Sequence, residues 1–156
     1  MTLKTLQPTA IHWMRRDLRL EDNRALQAAL KSGLPVICAF IFDREILSRL
    51  DNRVDRRVGF IHHELQRISK GLMEHGGSLL VSYGYVEEVW GDWQSKLADS
   101  GLRIAEVHYG RDYEPEAQKR DQHMQNWFSK EGIIFRGVKD NVLLEKAEVV
   151  KKDGLP

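Results

Sequence analysis

The chain holds one cysteine, Cys38, in 156 residues, so no disulfide can form within it and no cysteine cluster can bind a metal. It has no long hydrophobic run. The longest, Val36 to Phe42, is far shorter than the ~20 apolar residues that span a bilayer. The N-terminus lacks the apolar core of a signal peptide, which makes a cytoplasmic protein without membrane contact the expectation. Charge of one sign is missing too. Lys and Arg number 24 against 23 Asp and Glu, a net charge of +1, so the chain as a whole has no field that draws it tightly onto a duplex. Neither G-x-G-x-x-G nor G-x-x-x-x-G-K-[ST] occurs, so a dinucleotide or triphosphate cradled by a glycine loop is unsupported. The absence of G-x-S-x-G and H-E-x-x-H leaves no motif from which an independent hydrolase or metalloenzyme site could be assembled.

What is present is the composition of a soluble globular domain, 42% hydrophobic and 30% charged, with enough length for one sizeable core. The organising stretch is Ile11 to Leu26. Ile11 and Trp13 are strand formers, with Pro8 and Thr9 bounding the run. Five charges follow between Arg15 and Glu21, which no strand interior would carry. Asp22 is the expected N-cap of a first helix whose apolar face is Ala25, Leu26, Ala29 and Leu30.

After the turn at Gly33 and Pro35, the continuous apolar run Val36–Phe42 reads as a central parallel strand covered on both faces. The mixed charges from Arg44 to Arg57 read as a solvated loop and helix entry. From Val54, the positions Val58, Ile61, Leu65, Ile68 and Leu72 form one helical stripe that ends at Gly76 and Gly77. His62 and His63 ride on that helix as neighbours, pointing in different directions, and make a poor metal pair. A third strand at 78–83 is followed by a helix carrying Val86, Val89, Trp90, Trp93 and Leu97, whose tryptophans read as core. A fourth strand at 104–109, a proline-led helix from Glu114–Pro115 with Ala117, Met124, Trp127 and Phe128 inward, and a fifth strand at 133–136 complete the pattern.

Strands alternating with helices specify an α/β fold: a doubly wound, Rossmann-like, five-stranded parallel sheet with helices on both faces. Right-handed crossovers and one reversal give the order 3-2-1-4-5. The switch point then lies at the C-terminal ends of strands one and four, lined by Arg15, Arg16 and Asp17 and by Tyr109 to Glu114. The domain is expected to cover 1–137, with 138–156 the start of a linker.

Two loops carry the chemistry. Asp17, Arg19 and Asp22 are expected to fix the first loop and cap the first helix, while Arg15 and Arg16 serve either that network or a polar or anionic ligand. Glu114, at a helix start, is in its simplest role a cap; a carboxylate so placed can also accept two parallel N–H bonds from an amidine-like edge.

The pattern aromatic-x-Arg-x-Asp-Leu-Arg-x-x-Asp-Asn-x-Ala-Leu is filled here by Trp13, Arg15, Asp17, Leu18, Arg19, Asp22, Asn23, Ala25 and Leu26, with Met14 where Phe is usual. It resembles the opening of the DNA photolyase and cryptochrome family. Tyr109, Tyr113, Glu114, Arg120 and Asp121 resemble that family's second block, and Asp140, Val142, Leu143 and Leu144 its third. The resemblance implies the N-terminal α/β domain of a deoxyribodipyrimidine photolyase, a lyase in which reduced FAD donates an electron to a pyrimidine dimer in damaged DNA. It implies the half that in this family holds a light-harvesting antenna such as methenyltetrahydrofolate or a deazaflavin, though some members have none. Cofactor-contacting positions would be Glu114, Arg15, Arg16 and Tyr109. The histidine that pterin-binding members carry after strand two has no counterpart between Arg44 and Arg57. The FAD-binding helical domain lies outside the sequence, so the chain alone is expected to be inactive and to bind DNA weakly, with that C-terminal domain as its partner. Two alternatives remain: a cryptochrome photoreceptor without repair activity, which shares these motifs, and a stand-alone nucleotide-binding α/β module.

Overall fold

In the computed structural model, which describes residues 5–50 and 55–139, the first strand starts before the apolar run that signals it. Strand β1 spans Gln7–Met14, so Pro8 and Thr9 lie inside it rather than bounding it. Residues 7 to 9 pair only with strand β4 (Leu102–Gly110), because pairing with strand β2 (Val36–Asp43) begins at Ala10. Gln7 N–H donates toward β4 and Ala10 N–H toward Pro35 on the β2 side, so the donor that Pro8 lacks falls where no strand yet lies.

Helix α1 (Arg24–Lys31) begins at Asn23 and not at Asp22. The Asn23 side chain accepts from the Leu26 N–H at 2.9 Å, while Asp22 takes a left-handed conformation, φ 47°, that turns the chain into the cap. Ala25, Leu26 and Ala29 are buried, but Leu30 stands 60% exposed, one step round the flank of the stripe. The single turn α2 (Arg44–Leu47) buries no residue, and α3 (Arg56–Glu74) buries Leu65 and Ile68. Strand β3 (Leu79–Gly84), helix α4 (Val86–Asp99), helix α5 (Pro115–Lys130) and strand β5 (Ile134–Val138) follow. β5 reaches one residue into the stretch expected as linker; the Asp140 to Leu144 block and Val54 lie outside the described residues.

All pairings are parallel and the order is β3-β2-β1-β4-β5, as the alternation of elements requires. The pleat divides the core. Ile11, Trp13, Val107, Tyr109 and Phe135 face α4 and α5, meeting Trp90, Trp93, Met124 and Phe128. Met14, Cys38 and Phe40 face α1 and α3, meeting Leu26, Leu65 and Ile68. The aromatic side is held by edge-to-face contacts, Trp90 meeting Trp13 at 5.5 Å, Trp93 at 5.1 Å and Phe128 at 4.9 Å. The tryptophans are therefore core, as their helical spacing indicates. His62 and His63 are exposed, and among the described residues no group of three His, Cys, Asp or Glu is placed to hold a metal. No described helix is long and apolar enough to cross a membrane.

Trp90, with no exposed surface, is the centre of the aromatic cluster. Trp90→Ala should lower the domain's unfolding free energy by about 3–5 kcal/mol, read as a drop in its urea midpoint. Trp127→Ala, at a partly buried position, should cost less.

Candidate functional site

β1 ends at Met14, and the chain must turn at once because the next residues are charged. Asp17 makes the turn: its Oδ1 accepts from the Arg15 N–H at 2.9 Å and its carbonyl from the Arg19 N–H at 2.8 Å. Asn23 locks it from the far side, donating to Asp17 Oδ2 at 3.0 Å, with the carbonyls of Asp17 and Arg19 each at 3.1 Å. Both side chains are buried beside His12. The structural role expected of Asp17 holds. Arg19 donates to the Asp22 carbonyl at 3.0 Å, so Asp22 joins the loop through its backbone rather than as a cap.

The two arginines between these anchors part company. Arg15 turns inward, its guanidinium 4.1 Å from the Trp13 ring and 4.5 Å from the Tyr109 ring. Its Nη1 lies 2.7 Å from Asp121 Oδ1 on the second turn of α5. The two meet as a buried ion pair, while Arg15 Nε and Nη2 stay buried without a hydrogen-bond partner. Tyr109 stacks on Phe135 at 4.1 Å, and Gly137 makes room for it: a Cβ there would lie 2.8 Å from the Tyr109 hydroxyl. Arg16 turns outward, its Nε 3.2 Å from Asp112 and its Nη2 2.9 Å from Glu114. Glu114 holds the N-cap position of α5 without a side-chain cap bond, which corrects its expected simple role; its carboxylate goes to Arg16 instead. The four residues singled out from sequence thus gather at the C-terminal ends of β1 and β4, as a buried couple (Arg15, Tyr109) and an exposed one (Arg16, Glu114).

The sequence profile described as DNA photolyase matches residues 10–156. The chain belongs to the DNA photolyase family. The deoxyribodipyrimidine photo-lyase of Agrobacterium fabrum is 31% identical over 156 residues, covering 100% of this chain and 30% of that protein. A bacterial class III photolyase from Agrobacterium tumefaciens superposes with a TM-score of 0.79 at 29% identity, over 100% of this chain and 30% of that one. An archaeal photolyase from Sulfolobus tokodaii, solved with two FAD molecules, gives 0.77 at 29% identity, over 92% of this chain and 32% of that one. The chain spans about a third of the length of these photolyases.

Electrostatics at the switch point follow from burial. Desolvation pulls the Arg15 guanidinium below its ordinary value against the opposing pull of Asp121, yet guanidinium is basic enough to stay charged. Desolvation likewise pushes the Asp121 carboxyl up, with Arg15 pulling it back down, and it pushes the Tyr109 phenol up. Sequence reasoning did not place Asp121 in the site. Its signal was there: Asp121 sits on the Ala117, Met124, Phe128 stripe of α5, a carboxylate at an inward position that requires a partner.

Because the folded state holds the Asp121 proton to higher pH than the unfolded chain does, its contribution is full below the ordinary carboxyl value. It is lost as pH rises through the raised one. Removing Arg15 removes the charge that pulls the value down. Arg15→Met should therefore lose stability more steeply than wild type as pH rises above the ordinary carboxyl value of about 4. At neutral pH the loss should be about 3–5 kcal/mol, measured by urea unfolding across that range.

Proposed function

We propose that this chain is the light-harvesting α/β domain of a deoxyribodipyrimidine photolyase, acting within a longer polypeptide that splits pyrimidine dimers in DNA with light. The observation that carries the reading is identity of 31% to a photo-lyase along the whole chain, joined to a cluster of charged and aromatic side chains at the switch point. The flavin would be held by the rest of the polypeptide. DNA would be bound mainly there too, since this chain is near neutrality.

Two observations support an antenna at the switch point. With Nη1 given to Asp121, Arg15 keeps Nε and Nη2 buried without a hydrogen-bond partner, donors suited to the carbonyl of a flat heterocycle. Arg16 and Glu114 at the rim supply a donor and an acceptor, on an exposed surface. A pterin or deazaflavin bound there would absorb light and pass the excitation to the flavin. Arg15 and Tyr109 would set the floor and its polarity; Glu114, partly neutralised by Arg16, would accept N–H groups from the ligand's edge. The missing loop histidine weighs against a pterin.

Two measurements on the complete protein check this. A thymine-dimer oligonucleotide should be restored under visible light once the flavin is reduced; a loaded, reduced protein that repairs nothing would favour the signalling photoreceptor. Glu114→Gln should weaken binding of methenyltetrahydrofolate or 8-hydroxydeazaflavin about ten- to a hundredfold, the effect of one charge-assisted bond. Equal affinity in both proteins would remove Glu114 from the site.

A further inference from the structure

The face of the sheet under α1 carries a row of polar side chains in register. Cys38 on β2 pairs with His12 on β1, His12 with His108 on β4, and His108 with Arg136 on β5. Both histidines are buried, and neither belongs to the Arg15 or the Arg16 cluster. His12 does reach the turn that sends those two arginines apart. Its Nε2 lies 3.3 Å from Asn23 Nδ2 and 3.6 Å from Asp17 Oδ2.

The Asn23 amide in that turn has more acceptors than hydrogens. Its Oδ1 is committed to the Leu26 N–H at the start of α1, which fixes the amide group toward the turn. There its two hydrogens face four acceptors: His12 Nε2, Asp17 Oδ2 at 3.0 Å, and the carbonyls of Asp17 and Arg19 at 3.1 Å each. A contact of 3.3 Å is within reach of a hydrogen bond and one of 3.6 Å is not, so a neutral His12 takes its place among the acceptors of Asn23. It then draws a hydrogen away from the turn. A protonated His12 has no lone pair to offer. Its Nε2–H turns to Asp17 Oδ2, a charge-assisted bond, and both Asn23 hydrogens return to the turn.

Few other charges bear on His12. α1 and α3 bury only apolar side chains over this face, Ala25, Leu26 and Ala29 from one and Leu65 and Ile68 from the other. The Cys38 thiol is pushed up to about 12, by burial first and by Asp17 second, and stays protonated. His108 has a carboxylate of its own: its Nε2 is 2.9 Å from Glu106 Oε2, which Arg136 Nε also approaches at 3.4 Å. Asp17 is thus the anion that answers His12.

We propose that His12 is a positioning residue whose proton sets the tightness of the Arg15–Asn23 turn. With the proton, Asp17 gains a charged donor and Asn23 gives both hydrogens to the turn. Without it, one of those hydrogens is lost to the imidazole. The turn that holds Arg15 inward and Arg16 outward therefore firms as pH falls through the histidine range, and no bound ligand is required.

The test is hydrogen exchange of the full-length protein between about pH 5 and pH 8, corrected for the intrinsic pH dependence of exchange. Protection of the backbone amides from Arg15 to Asn23 should rise roughly three- to tenfold toward the acid end, the difference between a neutral and a charge-assisted hydrogen bond. His12→Gln, which keeps a polar side chain but cannot take up a proton, should show no such step. His108→Gln should keep it. A step that persists in His12→Gln, or that disappears in His108→Gln alone, would overturn the assignment to His12. Wild type decides the matter even where a variant does not fold, since flat protection of the turn across that range sinks the proposal.

Discussion

Taking the Arg15 guanidinium out of water is costly, and the end of the central strand is built around compensating for it. One carboxylate, Asp121, supplies the opposite charge, and two ring faces, Trp13 and Tyr109, add favourable electrostatics. Those three partners come from α5, β1 and β4. The charge therefore cannot be accommodated unless β1 and β4 are neighbours and α5 packs over them. The pair is weak support for stability in itself, since a hydrophobic replacement of both groups would be nearly neutral. Its consequence is specificity: one arrangement of these elements satisfies it, and slipped arrangements leave a charge buried alone.

The aromatic packing beneath and the polar turn above serve the same end. Phe135 and the bare backbone at Gly137 let Tyr109 lie flat against β5, which holds its ring under the guanidinium. Asp17 and Asn23 close the loop with buried hydrogen bonds, so Arg15 leaves β1 in one direction and Arg16 in the other. The floor is fixed by burial, while around it Arg16 meets Glu114 and Arg49 meets Glu116 where water competes for the contact.

Much of this was legible in the residues. The alternation of apolar runs and helical stripes determined the number, type and order of the elements. The rules of crossover handedness turned that order into the sheet 3-2-1-4-5 and so located the switch point. The tryptophans were readable as core because they repeat at helical spacing without interleaved basic residues. The clustered charges between Arg15 and Glu21 were readable as a loop because no strand interior tolerates them. These are local properties, and the chain states them locally.

Other facts came only with the tertiary structure. Asp22 and Asn23 are both good caps, and the choice fell to Asn23 because its amide also reaches Asp17 and Arg19 across the turn, a geometry that spacing does not reveal. Pro8 lies within a strand because β2 begins later than β1, a matter of register between segments. Glu114 gave up its cap bond for Arg16. Arg15 and Arg16, adjacent and chemically identical, took opposite fates. Burial and partner choice are decided by residues far along the chain, Asp121 for one and Asp112 with Glu114 for the other. Sequence by itself determined which elements form and in what order; which charge goes inside was settled only when distant carboxylates were brought to meet it.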